Sequence, residues 1–237
     1  MESGKKFETV SYDNLRRMAV FRCADGVASP EEIQNACRNG LSVADRDLTG
    51  LPESELQQVV ISLLKPSRVA HVLGCRDTAV QLAQKWGANV SDAARAALLH
   101  DVTKALDGPL QLTLCEEYGT ILGEFSKHNP KTLHALTGSL VAERIFGENK
   151  QVVDAICSHT TGKADMNTLE KIIYIADYME PNRDFPGVEK LRDLAYRDLD
   201  KALKTGLEMT LEMLKKNKQE ISPASAEAIA FLEQAGV

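Results

Sequence analysis

From about residue 66 onward, apolar side chains recur every three or four residues almost without interruption, and the strict alternation of a half-buried strand is essentially absent. A chain patterned this way buries its apolar stripes by packing helix on helix, which predicts an all-α bundle. Val69, Val72, Leu73, Val80, Ala83 and Trp86 mark the first helix, with Gly87 placed as its C-terminal cap. Ser91 is placed to cap a second, Ala-rich helix that carries Leu98-Leu99-His100-Asp101 near its end. Asn129-Pro130 opens a third, running through Leu133, Leu136, Leu140 and Ile145 to Gly147. A short helix over Val152, Val153 and Ile156 gives way at Thr160-Thr161-Gly162. Asn167 and Glu170 have the spacing of a capping box, and the helix they open stops ahead of Pro181. A long amphipathic stretch over 188–214 and a last helix after Ser222-Pro223 complete the pattern.

The first 60 or so residues read differently, broken into short pieces by Gly26, Ser29-Pro30, Gly40 and Gly50-Leu51-Pro52. The shift at Lys65-Pro66 divides the chain into an N-terminal extension, 1–65, mostly helical or irregular and of unknown role, and a helical unit, 66–237.

Bulk properties remove several classes of function. The net charge of −6 speaks against a broad DNA- or RNA-binding face, though a bound cation can invert the charge inside one cleft. The longest apolar run, Val59 to Leu64, falls far short of the ~18 residues of a membrane span, and MESGKKFETV has no apolar core of a secretory signal. Five scattered cysteines without a Cys-x-x-Cys suit reduced thiols packed as small hydrophobes. The expectation is a cytoplasmic protein with no nucleic-acid or membrane partner; a homodimer stays open.

Four of the five histidines fall at or near helix ends: His71, His100, His134 and His159. Two carboxylates sit in apolar surroundings, Asp101 after Ala96-Ala97-Leu98-Leu99 and Asp177 within Ile173-Tyr174-Ile175-Ala176-Asp177-Tyr178-Met179. An ionised carboxylate in such a setting costs several kcal/mol unless it is paired or metal-bound, so both call for a cation. A His-Asp pair alone is a weak signal. The ordered series His…His-Asp…His…His…Asp, each member on a different helix, is the way bundles build metal sites. Imidazole with carboxylate suits Zn, Fe, Mn or Ni better than Mg or Ca. Two ions ~3.5–4 Å apart would clamp a phosphoryl group and generate a hydroxide between them, with Asp101 as the bridging ligand. Around the set lie Lys104, three residues past Asp101; Arg183, whose planar guanidinium suits a phosphate; and Thr160-Thr161-Gly162-Lys163, with hydroxyls, a tight turn and a cation. His128, in the polar Ser126-Lys127-His128-Asn129 stretch, reads as solvated.

The segments His71-Val72-Leu73-Gly74, Ala97-Leu98-Leu99-His100-Asp101-Val102-Thr103-Lys104, Leu133-His134, Ala155-Ile156-Cys157-Ser158-His159-Thr160-Thr161-Gly162 and Ile173-Tyr174-Ile175-Ala176-Asp177-Tyr178-Met179-Glu180-Pro181-Asn182-Arg183 closely resemble the bacterial YqeK family. These are HD-domain proteins regarded as symmetrical diadenosine tetraphosphate hydrolases, and the likeness runs from about residue 66 to 225. The resemblance implies a di-iron centre, with manganese or zinc as alternatives, and cleavage of diadenosine tetraphosphate to two ADP by a metal-bridged hydroxide at an inner phosphorus. By position it implies that His71, His100, Asp101 and Asp177 hold one ion, and Asp101, His134 and His159 the other. Asp101, Lys104 and Arg183 are read as catalytic, the two cations offsetting charge that grows on phosphoryl oxygens and the leaving group. Lys104, Thr160, Thr161, Gly162, Lys163 and Arg183 are read as contacting the substrate. The stretch from Glu31 through Gly50-Leu51-Pro52 faintly resembles the tail of a nicotinate-nucleotide adenylyltransferase. Two other readings stand beside this one: an HD phosphohydrolase for another nucleotide, and a non-catalytic HD-like signalling module.

Overall fold

The structure, a computed structural model, describes residues 48–106 and 108–237. Among them there is no β-strand, and the order is α1 (Glu53–Leu63), α2 (Pro66–Trp86), α3 (Val90–Leu99), α4 (Gly108–Glu117), α5 (Glu124–His128), a 3-10 turn (Pro130–Thr132), α6 (Leu133–Arg144), α7 (Lys150–Ser158), α8 (Thr168–Met179), α9 (Val188–Ala195), α10 (Leu199–Lys216) and α11 (Pro223–Gln234). The expected all-α bundle is the fold.

Local chemistry sets most of the boundaries. Pro66 opens α2, where its missing N–H costs nothing, and Gly87 closes it at φ 71°. The capping box of α8 is complete: the Asn167 side chain accepts from the Glu170 N–H, and Glu170 accepts from the Asn167 N–H. Two boundaries differ from expectation. Asn89, not Ser91, caps α3, because its side-chain oxygen reaches the Asp92 N–H at 3.1 Å. The amphipathic stretch 188–214 is two helices, since Asp198 turns out of the helix and its carboxylate accepts from the Lys201 N–H, starting α10 afresh.

Five helices make the frame of the site. α2 packs on α3 and α8, and α7 packs on α6, α3 and α8. Small side chains let them approach: Ala93, Ala94, Ala96 and Ala97 of α3 are fully buried, and a methyl on Gly138 of α6 would meet the His100 carbonyl at 3.3 Å and Ile156 at 3.4 Å. Leu98, Leu99, Ile172, Ile173 and Ile175 fill the space between, each worth ~1.5–3 kcal/mol of burial.

The described part of the N-terminal extension is not outside this core. Leu48, Leu51, Leu56, Val60, Leu63 and Leu64 belong to the same buried cluster, and α1 packs on α3. Arg95 fastens the segment, donating to the Leu51 carbonyl at 2.7 Å while paired with Glu148. Lys65-Pro66 is thus a break between helices and not a break in the core. The stretch likened to an adenylyltransferase tail lies outside the described residues except for its last five, 48–52, which join the bundle. Among the described residues, no helix is long and apolar enough to cross a membrane.

Candidate metal centre

The six residues of the ordered series meet at one point between α2, α3, α6, α7 and α8. His71 lies on the second turn of α2; His100 and His159 are the residues that close α3 and α7; His134 is in the first turn of α6; Asp101 follows His100; Asp177 is in the last turn of α8. Three of the imidazoles are aimed by their own helix ends. The Nδ1–H of His100 donates to the Ala97 carbonyl at 2.7 Å, that of His134 to Lys131 at 2.8 Å, and that of His159 to Ile156 at 2.6 Å. A carbonyl only accepts, so the proton is on Nδ1 and the lone pair on Nε2. His71 is held by a different partner: its Nδ1 lies 3.1 Å from Glu180 Oε1, a buried carboxylate that also accepts from the backbone and side chain of Asn182.

With Nδ1 engaged, the four Nε2 atoms face one another in two pairs. His71 and His100 stand 3.4 Å apart at Nε2, and His134 and His159 stand 3.1 Å apart. Two nitrogens each ~2.1 Å from one ion are roughly 3.0–3.4 Å apart in octahedral or tetrahedral coordination, which is the spacing here. Asp101, 1% exposed, places Oδ2 3.7 and 3.6 Å from the Nε2 atoms of His71 and His100, and Oδ1 3.5 and 3.9 Å from those of His134 and His159. One carboxylate oxygen therefore faces each histidine pair. Asp177 Oδ1 joins the first pair, 3.1 Å from His71 and 3.8 Å from His100. Facing lone pairs repel unless a cation or proton lies between them, so the residues present fit two ions sharing Asp101.

Electrostatics favour the same use. Burial pushes His100 and His134 well below the ordinary imidazole range and His159 down to about 4, so all three are neutral near pH 7 with lone pairs free. Burial works to raise the Asp177 pKa, but the His71 hydrogen bond and the Arg183 guanidinium act against it, and the carboxylate is held well below its usual range.

Cationic groups border the cluster. Lys104 Nζ is 2.8 Å from His134 Nε2 and 3.9 Å from Asp101 Oδ1; burial lowers its pKa to about 8. Arg183 donates to the Asp177 carbonyl at 2.9 Å and to its Oδ1 at 2.7 Å. The Thr160 hydroxyl is 3.1 Å from Nε2 of both His134 and His159. The other residues grouped with substrate are placed differently. The Thr161 hydroxyl bonds the Gly162 carbonyl and its own carbonyl takes the Ser225 hydroxyl, although Thr161 still lines the cleft. Gly162, at φ 65°, packs against Leu207 and Ala228, and Lys163 turns to the buried Glu170 at 2.6 Å. His128 is exposed, as expected.

Sequence reasoning missed three neighbours. Arg68 donates to Asp101 Oδ2; it precedes His71 by three residues, one helical turn, and that spacing was the available signal. Glu180, the orienting carboxylate, was visible only as a motif letter. Cys75, one turn after His71, lies with His100 and Asp177 in a group whose ligand atoms are all within 4.8 Å. Burial and then the charges of Asp177 and Glu180 push its thiol well above the usual range, so it packs there protonated.

The HD-domain family profile matches residues 68–182, the span from Arg68 to Asn182. The chain is 38% identical over 163 residues to a symmetrical bis(5'-nucleosyl)-tetraphosphatase of Bacillus subtilis, covering 68% of this chain and 86% of the relative. To the protein of that name from Halalkalibacterium halodurans it is 40% identical, covering 70% of this chain and 89% of the relative. The chain belongs to the HD-domain family. A solved HD superfamily hydrolase from Clostridium acetobutylicum, described as involved in NAD metabolism, superposes on this HD-domain chain with a TM-score of 0.76. The two are 35% identical, over 78% of this chain and 98% of that one.

Proposed function

We propose that this HD-domain protein is a symmetrical bis(5'-nucleosyl)-tetraphosphatase, hydrolysing diadenosine tetraphosphate to two ADP at a metal pair. His71, His100, Asp101 and Asp177 would hold one ion, and Asp101, His134 and His159 the other; iron is the first choice, with manganese and zinc as alternatives. The observation that supports this most directly is the single Asp101 carboxylate, with one oxygen facing each of two histidine pairs. The ions, when bound, supply an activated water and neutralise phosphoryl charge.

The remaining work belongs to the chain's own groups. Lys104 and Arg183 bring positive charge to the rim of the cluster, where phosphoryl oxygens and the departing ADP gain negative charge. Arg183 is held by two bonds to Asp177, so its guanidinium is oriented before substrate arrives. Thr160 offers a hydroxyl beside the second histidine pair. Water's oxygen ends on one ADP and the P–O bond to the other is broken. The reading places the enzyme in the cytoplasm, and takes residues 1–65 as an extension that contributes α1 to the core.

The test is metal analysis of the purified protein followed by chromatography of the products from diadenosine tetraphosphate. Two transition-metal ions per chain and ADP as sole product are expected, with turnover reduced by at least 1,000-fold in Asp101→Ala. AMP plus ATP as products would sink the symmetrical assignment.

A further inference from the structure

Two cavities open on the cluster and share Lys104, Thr160, Thr210 and Met213 at their junction. The first, ≈ 580 Å³, lies on the Asp177 side; the second, ≈ 470 Å³, lies on the His134 side. Each is of a size that takes a small ligand. Their walls repeat one set of chemistries. The first has aromatic faces (Tyr178 and Phe185, ring centroids 5.2 Å apart), cations (Arg183 and Lys216) and, besides Asp177 of the cluster, the carboxylate of Glu212. The second has an aromatic face (Phe125), a cation (Lys131) beside His128, and one carboxylate, Glu220. An aromatic face stacks a base, a cation takes phosphate, and a carboxylate accepts from sugar hydroxyls. The kit therefore appears once per lobe, and the junction between the lobes is the place where Lys104 and Thr160 touch the histidines.

We propose that the two lobes hold the two halves of one dinucleoside polyphosphate. The Tyr178–Phe185 lobe stacks one base, the Phe125–Lys131 lobe takes the other nucleoside, and the anhydride bond midway lies over the cluster. This rests on the functional reading above and adds what sets the regiochemistry: equal arms on either side of a fixed centre. A ligand with one nucleoside fills one lobe and leaves the other to water.

The experiment compares diadenosine tetraphosphate with adenosine 5'-tetraphosphate, which keeps the four phosphates and drops one nucleoside. Binding is measured on the metal-loaded protein with the methylene analogue that replaces the central bridging oxygen, and kcat/KM with both parent compounds. The dinucleoside is expected to be favoured at least tenfold in both readouts. Phe125→Ala and Lys131→Ala should each cut that preference several-fold; Lys131 is exposed, so its loss does not threaten the fold. Equal preference for the two compounds in the wild-type protein, or a preference unmoved by both variants, overturns the proposal. Absence of ADP from diadenosine tetraphosphate sinks the functional reading instead, and the binding comparison still judges the lobes.

Discussion

An imidazole turns freely about its Cβ–Cγ bond, so a histidine presents an aimed lone pair only when its other nitrogen is tied down. His71 owes its aim to Glu180, itself fixed by the backbone and side chain of Asn182. Glu180→Gln keeps the volume and removes the charge that holds the His71 Nδ1 proton. Affinity for the ion beside His71 should fall ~10–100-fold, read by chelator competition, with helix content unchanged. The buried imidazoles also set a pH dependence. His100, His134 and His159 have folded-state pKa values below those of the unfolded chain, so the unfolded state binds more protons as pH falls below 6.5. The metal-free protein should therefore lose stability from pH 6.5 down to about 4, the His159 value, and regain it on returning to neutral. Thermal melts of the chelated protein across that range check this; a melting temperature flat between pH 4 and 6.5 would contradict the buried, neutral assignment.

At the scale of elements, the decisive contacts are those where two backbones come close. Gly74 is one turn beyond His71 on α2, and a methyl there would run into the Glu180 carboxylate and Asn182. Gly74→Ala should leave α2 intact, since Ala is the better helix former, yet push Glu180 off His71. Metal content and turnover should drop together by tenfold or more while circular dichroism stays the same. Much of this architecture was legible in sequence because caps are local. Asn167 with Glu170, and Pro66 with Gly87, are encoded within a few residues of the helix ends they make. Asp101 and Asp177 were legible because charge in an apolar run needs a partner wherever the partner comes from, and the four histidines because they recur in an ordered series at helix ends. Glu180 and Arg68 were not, because an ordinary Glu after a helix and an ordinary Arg in its first turn become special only when α8 returns to α2. The Asp198 cap was readable and was hidden by continuous amphipathic spacing on either side of it.

Over the whole molecule, the core does not respect the composition boundary at Lys65-Pro66. A chain beginning at Pro66 would uncover the surface that Leu56, Val60, Leu63 and Leu64 now cover. At ~1.5–3 kcal/mol for each side chain, that loss rivals the 5–15 kcal/mol stability of a typical domain. The truncated protein should unfold at much lower denaturant or fail to give a cooperative transition, and added metal should recover only part of the difference. A truncation as stable as the full chain would show that α1 is dispensable. The two halves of the cluster also differ in how far their support reaches. His134 and His159 are steered by carbonyls three residues away, within their own helix ends. His71 is steered by a carboxylate 109 residues along the chain, which stays in place only while α8 remains docked on α2. Local breathing that parts those two helices would thus free the His71 imidazole to turn and leave His134 and His159 aimed. If two ions are bound as proposed, the one beside His71 should exchange with metal in solution faster than the one beside His134 and His159.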